Sequence, residues 1–216
     1  MSSTRTALIA GASGLIGSFL LHELLNSKHY TKIIVLSRKP LNIADESVQE
    51  IITDPATLAQ HADELMADDV FCCLGTTMAK ARSKEKFYEV DFTYPYELAK
   101  ICKQNGAHQY LLVSAMGADK RSMVYYNRVK GEVEEAIRDV QFEGLHIFRP
   151  SLLLGPRIEK RAGEDAAKIF YKYLGWLIPR KYKGIEAEKV ARAMLYFALQ
   201  DQKGVFVHES AKLQQY

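Results

Sequence analysis

The chain has 216 residues, 48% of them hydrophobic, which is enough for one domain with a full core, and its 29 Lys and Arg against 26 Asp and Glu leave a formal net charge of +3. Acidic and basic residues are interspersed, so no basic stripe follows a phosphate backbone and nucleic acid is not an expected partner; three cysteines without histidines at zinc-ligand spacing form neither a disulfide framework nor a metal site. The opening "MSSTRTALIAG" lacks the apolar core and cleavage site of a signal peptide, and nowhere do about 18 apolar residues run together, so the expectation is a soluble cytoplasmic protein with no membrane segment.

Short apolar runs alternate with stretches of helical periodicity. "TALIA" (6–10) reads as a first buried strand, followed by glycines at 11, 14 and 17 and by the helical pattern "LIGSFLLHELL". "KIIVLS" (32–37) and "VQEII" (48–52) continue the strands, and "TDPATL" (53–58) reads as a helix start with Pro55 at its first position. "DVFCCL" (69–74) is a fourth strand, and "TYPYELAKICKQNG" (93–106) a helix with Pro95 in its first turn and Gly106 at its C-cap. "YLLVS" (110–114), the helix "MVYYNRVKGEVEEAI" and the strand "LHIFR" (145–149) follow. After Pro150 the rhythm loosens into a basic and aromatic stretch, 151–185, before the helix "EAEKVARAMLYFAL" and the strand "GVFVH" restore it. This alternation predicts an α/β class, a doubly wound parallel sheet with helices on both faces, in one domain spanning 1–216 with a small C-terminal cap within 151–185.

The glycines stand where the first strand gives way to the first helix. There the backbone N–H groups of a βαβ unit point at an anion, and the pyrophosphate of a dinucleotide needs close approach. Gly11 permits the tight turn, Gly14 admits a phosphate to the backbone and Gly17 lets helix and strand pack closely; with Ala12, Ser13, Leu15 and Ile16 they form the expected phosphate cradle. About 20 residues on, the second strand ends in Ser37, Arg38 and Lys39, where an NAD-specific protein carries an acid for the ribose hydroxyls. Arginine there suits a 2′-phosphate, so NADP is preferred over NAD. Asp54, after the third strand, is a candidate partner of the adenine amino group, and the helix-start reading of "TDPATL" competes for the same side chain.

Hydride reduction of a carbonyl needs a proton donor beside the oxygen, and in the reverse direction that group must act as a base, for which a free tyrosine of pKa about 10 is sluggish. A lysine one helical turn away lowers that pKa, and Tyr-x-x-x-Lys sets both side chains on one helix face. Two pairs have this spacing, Tyr96/Lys100 and Tyr126/Lys130. Only the second follows a strand that ends in serine, Ser114, and opens the next helix, as a cofactor lying at the carboxyl ends of the strands requires. Tyr125 has Val129 four residues on and lacks the cation. Cys72 and Cys73, near the predicted site, read as small core residues before redox groups. In the cap, Arg157, Lys160, Arg161, Lys168 and Lys172 read equally as a hold for an acidic substrate and as a solvated face, and "FYKYLGWLIP" (170–179) reads as core packing before a substrate cover or a dimer contact.

Together "GASGLIG", "SAMGAD", "YNRVK" and "FRPSLLLGPR" resemble the short-chain dehydrogenase/reductase superfamily, and "FCCLGTT", "GADK", "VKGEVE" and "FRP" are similar to its atypical Tat-interacting-protein oxidoreductase group. The resemblance spans about residues 5–200. It implies an NADP-binding Rossmann fold in which Ser114 orients the substrate oxygen, Tyr126 is acid or base, and Lys130 binds the nicotinamide ribose while depressing the tyrosine pKa. It also implies that Leu74, Gly75 and Thr76 line the cofactor and that Pro150 packs beside the nicotinamide. Two departures stand out: Leu74-Gly75-Thr76-Thr77 replaces an Asn-Ala-Gly signature, and Asp91 takes the place of the asparagine of the proton relay, which leaves that relay open. The chain is also far shorter than nucleotide-sugar epimerases, which argues against a nucleotide-sugar substrate. The expected activity is therefore NADP-dependent oxidoreduction of a small carbonyl or alcohol. The alternative is an NADP-binding regulatory protein that modulates a protein partner with little turnover. Many relatives pair through the helices flanking the fourth and fifth strands, so a homodimer and a monomer are both open.

Overall fold

A computed structural model describes residues 5–155 and 183–216. Its strands are β1 (Arg5–Ala10), β2 (Tyr30–Ser37), β3 (Val48–Ile52), β4 (Asp69–Cys72), β5 (Gln109–Val113), β6 (Gly144–Arg149) and β9 (Gly204–Glu209), with a small pair, β7 (Leu153–Leu154) and β8 (Ile185–Glu186). The first seven form one sheet in the order β3-β2-β1-β4-β5-β6-β9, every pairing parallel. The chain winds outward from β1 in one direction and then from β4 in the other. The carboxyl ends of β1 and β4 therefore flank the crevice that a doubly wound sheet opens at its switch point. This is the Rossmann-like α/β fold expected from the alternating pattern.

Both faces of the sheet are covered, which explains why the strands read as apolar runs rather than as alternation. On one face Ala7, Ile9, Val35, Phe71 and Leu111 pack against α1 (Leu15–Asn26) and α6 (Ala187–Leu199) through Leu20, Leu24, Val190 and Met194. On the other, Leu8, Ile34, Val70, Leu112 and Ile147 pack against α4 (Tyr94–Gln104) and α5 (Tyr125–Asp139) through Leu98, Cys102, Val133 and Ile137. Leu20, Leu98 and Ile137 are fully buried, and each such side chain contributes about 1.5–3 kcal/mol. The last short helix, α7 (Ser210–Leu213), seals the end of β9.

One local expectation is corrected, and another is met in an unexpected setting. The fourth strand ends at Cys72 rather than Leu74: the Cys73 N–H still reaches the Ala10 carbonyl at 2.8 Å, but the Gly11 turn then presses on the Cys73 backbone and the ladder stops. Pro95 stands in the first turn of α4, as expected, but no loop precedes that turn. Helix α3 (Lys84–Tyr88), a wide π turn (Glu89–Thr93) and α4 run on without a break, so proline sits inside a helical run. Without an N–H it cannot bond the Asp91 carbonyl four residues back, and in a regular α-helix its ring would strike that carbonyl. The helix widens instead, and the Tyr94 N–H bonds the Glu89 carbonyl five residues back.

Of the predicted cap, residues 151–155 and 183–185 are described, and β7 pairs with β8. The remainder, including the basic cluster from Arg157 to Lys172 and the stripe 170–179, lies outside the described residues. No described helix is long and apolar enough to cross a membrane, and no metal-binding cluster of His, Cys, Asp or Glu occurs among the described residues.

Candidate functional site

The glycine turn stands at the switch point. Gly11 has φ +89°, a left-handed conformation that favours glycine, and a Cβ there would lie 2.7 Å from the Cys73 carbonyl. A Cβ on Gly17 would lie 2.1 Å from the Gly11 oxygen, so the helix can meet the turn only if that position is bare. Gly14 is different: a Cβ there would meet only the Gly11 oxygen, at 3.1 Å, and open space otherwise. Helix α1 has no side-chain cap and no acid in its first turn. Its free N–H groups and positive dipole end therefore face the space above Gly14, with Ser13 exposed beside it and Ala12 and Ile16 anchored in the core. A bare helix N-terminus behind an open glycine fits a dinucleotide pyrophosphate. A bound dinucleotide would be held there by residues 11–17.

At the end of β2, Ser37 is buried and donates to the Lys39 carbonyl at 2.8 Å, while Arg38 and Lys39 are exposed. Arg38 is close enough to act electrostatically on the buried Tyr94 phenol, whose pKa burial pushes up to about 12, and Asp54 acts on the same phenol. Asp54 is engaged locally: Oδ1 accepts from the Ala56 N–H at 2.9 Å and from the Thr57 N–H at 3.0 Å. Those bonds hold its carboxyl below the ordinary range and cap the approach to a 3₁₀ helix at Leu58–Glu64. The expected helix start is corrected: Pro55 lies in a turn, and the 3₁₀ helix begins at Leu58 behind Thr57, which gives it no side-chain cap.

Beyond β4, Leu74, Gly75 and Thr76 run along the crevice, and Thr77 caps the short helix α2 (Met78–Ala81) by accepting from the Lys80 N–H. The Thr76 N–H donates to Asp91 Oδ2 at 2.8 Å, and Asp91 Oδ1 stands 2.8 Å from Lys130 Nζ. Both charged side chains are buried, at 0% and 5% exposed. A Cβ on Gly75 would lie 3.5 Å from Asp91 Oδ1 and 3.6 Å from Lys130 Nζ, so the glycine forms a thin wall over the pair. Burial pulls the Lys130 pKa down, but the Asp91 carboxylate and the Tyr126 phenol outweigh it and the ammonium is held above its ordinary range. The position left open by the sequence is settled here: Asp91 contacts Lys130 directly. The sequence signal for it was Pro95, four residues on, which forces the π turn that carries Asp91 inward.

Ser114 follows β5 directly, its N–H bonded to the Phe148 carbonyl at 2.7 Å. Its hydroxyl donates to Glu134 Oε1 at 2.5 Å. Glu134 is also gripped by Arg149, Nε to Oε1 at 3.0 Å and Nη2 to Oε2 at 2.6 Å, and Arg149 reaches on to Glu209 at 3.1 Å. A carboxylate in a two-point pair with arginine only accepts, so the serine proton is committed to it. Glu134 was missed in the sequence, although it stands one turn past Lys130 and two past Tyr126 on the same face of α5. Gly131 brings that helix close: a Cβ there would lie 2.2 Å from the Lys120 nitrogen. The loop after Ser114 is thereby pressed onto α5, fastened also by the Asp119 N–H to the Asn127 carbonyl at 3.1 Å. Pro150 is buried on the other side, its carbonyl accepting from the Met116 N–H at 2.9 Å.

Tyr126 is half-buried, its ring 5.6 Å from that of Phe87, and its hydroxyl makes no hydrogen bond among the described residues. Tyr125 instead donates to the Lys84 carbonyl at 3.0 Å. The rival pair lies on the surface, Lys100 over the Tyr96 ring and paired with Glu97 at 2.8 Å. Cys72 is fully buried, and burial pushes the Cys72 and Cys73 thiols up, which disfavours thiolate chemistry in either.

Residues 7–174 match the NAD dependent epimerase/dehydratase family. Among curated proteins the chain is similar to Protein HTATIP2 of Rattus norvegicus, 36% identical over 201 residues that cover 88% of this chain and 80% of that protein. It is also similar to the mitochondrial protein FMP52 of Lodderomyces elongisporus, 34% identical over 216 residues covering 94% and 90%. These relatives bear out the resemblance read from the motifs. Among solved structures, MoeE5 in complex with UDP-glucose and NAD superposes with a TM-score of 0.73 at 20% identity, over 94% of this chain and 74% of that one. WbmG of Bordetella bronchiseptica in complex with NAD does so at 0.72 and 16%, over 97% and 74%. At such identities these share the fold. The cytoplasmic expectation is overturned by the relatives named mitochondrial. Its warrant was free cysteines and a polar N-terminus, and neither separates one reducing compartment from another. With the glycine turn, the parallel sheet and the match over most of its length, the chain belongs to the NAD dependent epimerase/dehydratase family.

Proposed function

We propose that the protein is an NADP-dependent oxidoreductase acting on a small carbonyl or alcohol, with Tyr126 as proton donor or acceptor. The observation that carries this reading is the arrangement around Lys130: a buried, charged ammonium under Gly75, one turn from an unengaged phenol and one turn from Glu134, which holds Ser114. When bound, the dinucleotide supplies or takes up the hydride. Residues 11–17 hold its phosphates, and Arg38 and Lys39 meet the 2′-phosphate. Lys130 contacts the ribose, its ammonium held one helical turn from the phenol. Tyr126 passes a proton to or from the substrate oxygen, and Ser114, its hydroxyl hydrogen donated in a bond to Glu134, offers lone pairs that orient a substrate hydroxyl. Leu74, Thr76 and Pro150 wall the ring.

A second reading, an NADP-binding regulatory protein with little turnover, is favoured by one observation. The Ser114 hydrogen that would steady a substrate carbonyl is already spent on Glu134. The test is NADPH oxidation with a panel of aldehydes, ketones and quinones, alongside NADPH binding, for the native protein and Tyr126→Phe. Loss of turnover by about 100-fold or more with binding retained supports the enzyme, the usual scale for removing a general acid. Full rates in Tyr126→Phe overturn the role of the phenol, and binding without turnover in both proteins supports the regulatory reading. The relatives named mitochondrial support a mitochondrial placement, which cell fractionation checks.

A further inference from the structure

The ion pair below Gly75 is anchored from one side only. Asp91 is held by the Thr76 N–H and by the π turn that Pro95 imposes, whereas the Lys130 ammonium has come down the long side chain of α5 to meet it. The groups that face that ammonium are Asp91 from the π turn, Tyr126 from its own helix and Cys72 from β4. Glu134, one turn further along α5, is occupied by Ser114 and Arg149. Asp91 is therefore the sole carboxylate among the described residues in contact with a cation that has lost its water. An isolated buried ammonium sheds its proton rather than stay charged, and breaking a buried pair from one side strongly destabilises the charge left behind. The pair sits close beneath Gly75, where even a Cβ would come within 3.5 Å of Asp91 Oδ1 and 3.6 Å of Lys130 Nζ.

From this we infer that Asp91 is a positioning residue: its carboxylate, locked by Thr76, keeps the Lys130 ammonium charged and aimed beneath Gly75, so that the site meets its ligand with a fixed cation. The inference rests on the proposed function for the identity of that ligand; the effect on Lys130 stands on the 2.8 Å contact and the burial of both groups, independently of that function. Asp91→Asn keeps the shape and removes the charge. With the carboxylate gone, burial is the largest influence left on Lys130, and it favours the neutral amine.

The experiment is a titration of the ¹⁵N-labelled lysine side chains by NMR, with Lys130→Met assigning the signal. In the native protein the Lys130 signal stays that of the ammonium throughout the range in which exposed lysines titrate. In Asp91→Asn its proton affinity falls by at least 10-fold, and Asp91→Glu restores it. NADPH binding followed by fluorescence is the second readout: flat from pH 7 to 9 in the native protein, and weakening with rising pH in Asp91→Asn. Should Asp91→Asn fail to fold, Asp91→Ser repeats both measurements, since it removes the carboxylate with a smaller polar side chain. A Lys130 signal that titrates alike with and without the carboxylate overturns the inference, because a merely structural role lowers the melting temperature and leaves the lysine unmoved. If NADPH does not bind even the native protein, the cofactor reading fails while the lysine titration still decides the role of Asp91.

Discussion

Lowering the pH from 7 to 5 is expected to weaken the fold through two histidines far from the glycine turn. His146 on β6 and His208 on β9 are 0% and 2% exposed and stack in a cage with Phe148 and Phe197. Their rings share one hydrogen bond, Nδ1 of His146 to Nε2 of His208 at 3.0 Å, and the outer nitrogens, Nε2 of His146 and Nδ1 of His208, have no partner. Burial lowers the His146 pKa to about 4, helped by Lys212, and lowers that of His208 to about 3, helped by His146 and Lys212. The unfolded imidazoles take up protons near pH 6.5 and the folded ones do not, so stability is present above 6.5 and is lost as the pH falls below it. Between pH 7 and 5 each ring contributes a loss of about 2 kcal/mol from linkage, and the pair about 4 kcal/mol. For a chain of this size that is a fall of roughly 10 °C in melting temperature. Carboxylates held low by local bonds, such as Glu50 and Glu143, lose their contribution only as the pH falls through the carboxylate range, beneath this window. The assay is urea unfolding at pH 7, 6 and 5 for the native protein and for His146→Leu combined with His208→Phe. Replacing both partners by apolar groups removes the unpaired nitrogens and is expected to flatten the pH dependence over this window. An equal slope in both proteins would refute the reasoning.

The two inner glycines of the turn should separate folding from binding. Gly17→Ala drives a Cβ to 2.1 Å from the Gly11 oxygen and is expected to fail to fold or to unfold at much lower urea; Gly14→Ala meets one oxygen at 3.1 Å, so it should keep its melting temperature within a few degrees and lose NADPH in a binding titration. Arg38→Ala should weaken NADPH by about 10-fold or more and leave NADH nearly unchanged, as expected for loss of a charge-assisted contact to the 2′-phosphate; equal losses for both dinucleotides would defeat that assignment. Cys72 and Cys102 should resist iodoacetamide at pH 8 in the folded protein and react after unfolding, since burial raises both thiols, Cys102 to about 12; mass spectrometry of the native digest checks this.

Much of this molecule is legible in its amino-acid sequence alone. Seven apolar runs became the seven parallel strands within a residue or two at most ends, because strands covered on both faces need little beyond sustained apolarity. The turn of Gly11, Gly14 and Gly17 is equally plain, since each bare position answers a steric demand within a few residues of itself or at the neighbouring strand end. The order of Ser114, Tyr126 and Lys130 along the chain also singles out the buried lysine from two equally spaced pairs. What stays hidden depends on approach between segments distant in sequence. Asp91 meets Lys130 across 39 residues, Glu134 meets both Ser114 and Arg149, and His146 finds His208 on an edge strand 62 residues away. Local periodicity carries no information on which polar groups must share a buried space; only the packed sheet brings them together, and only there does the loss of water oblige each to find a partner.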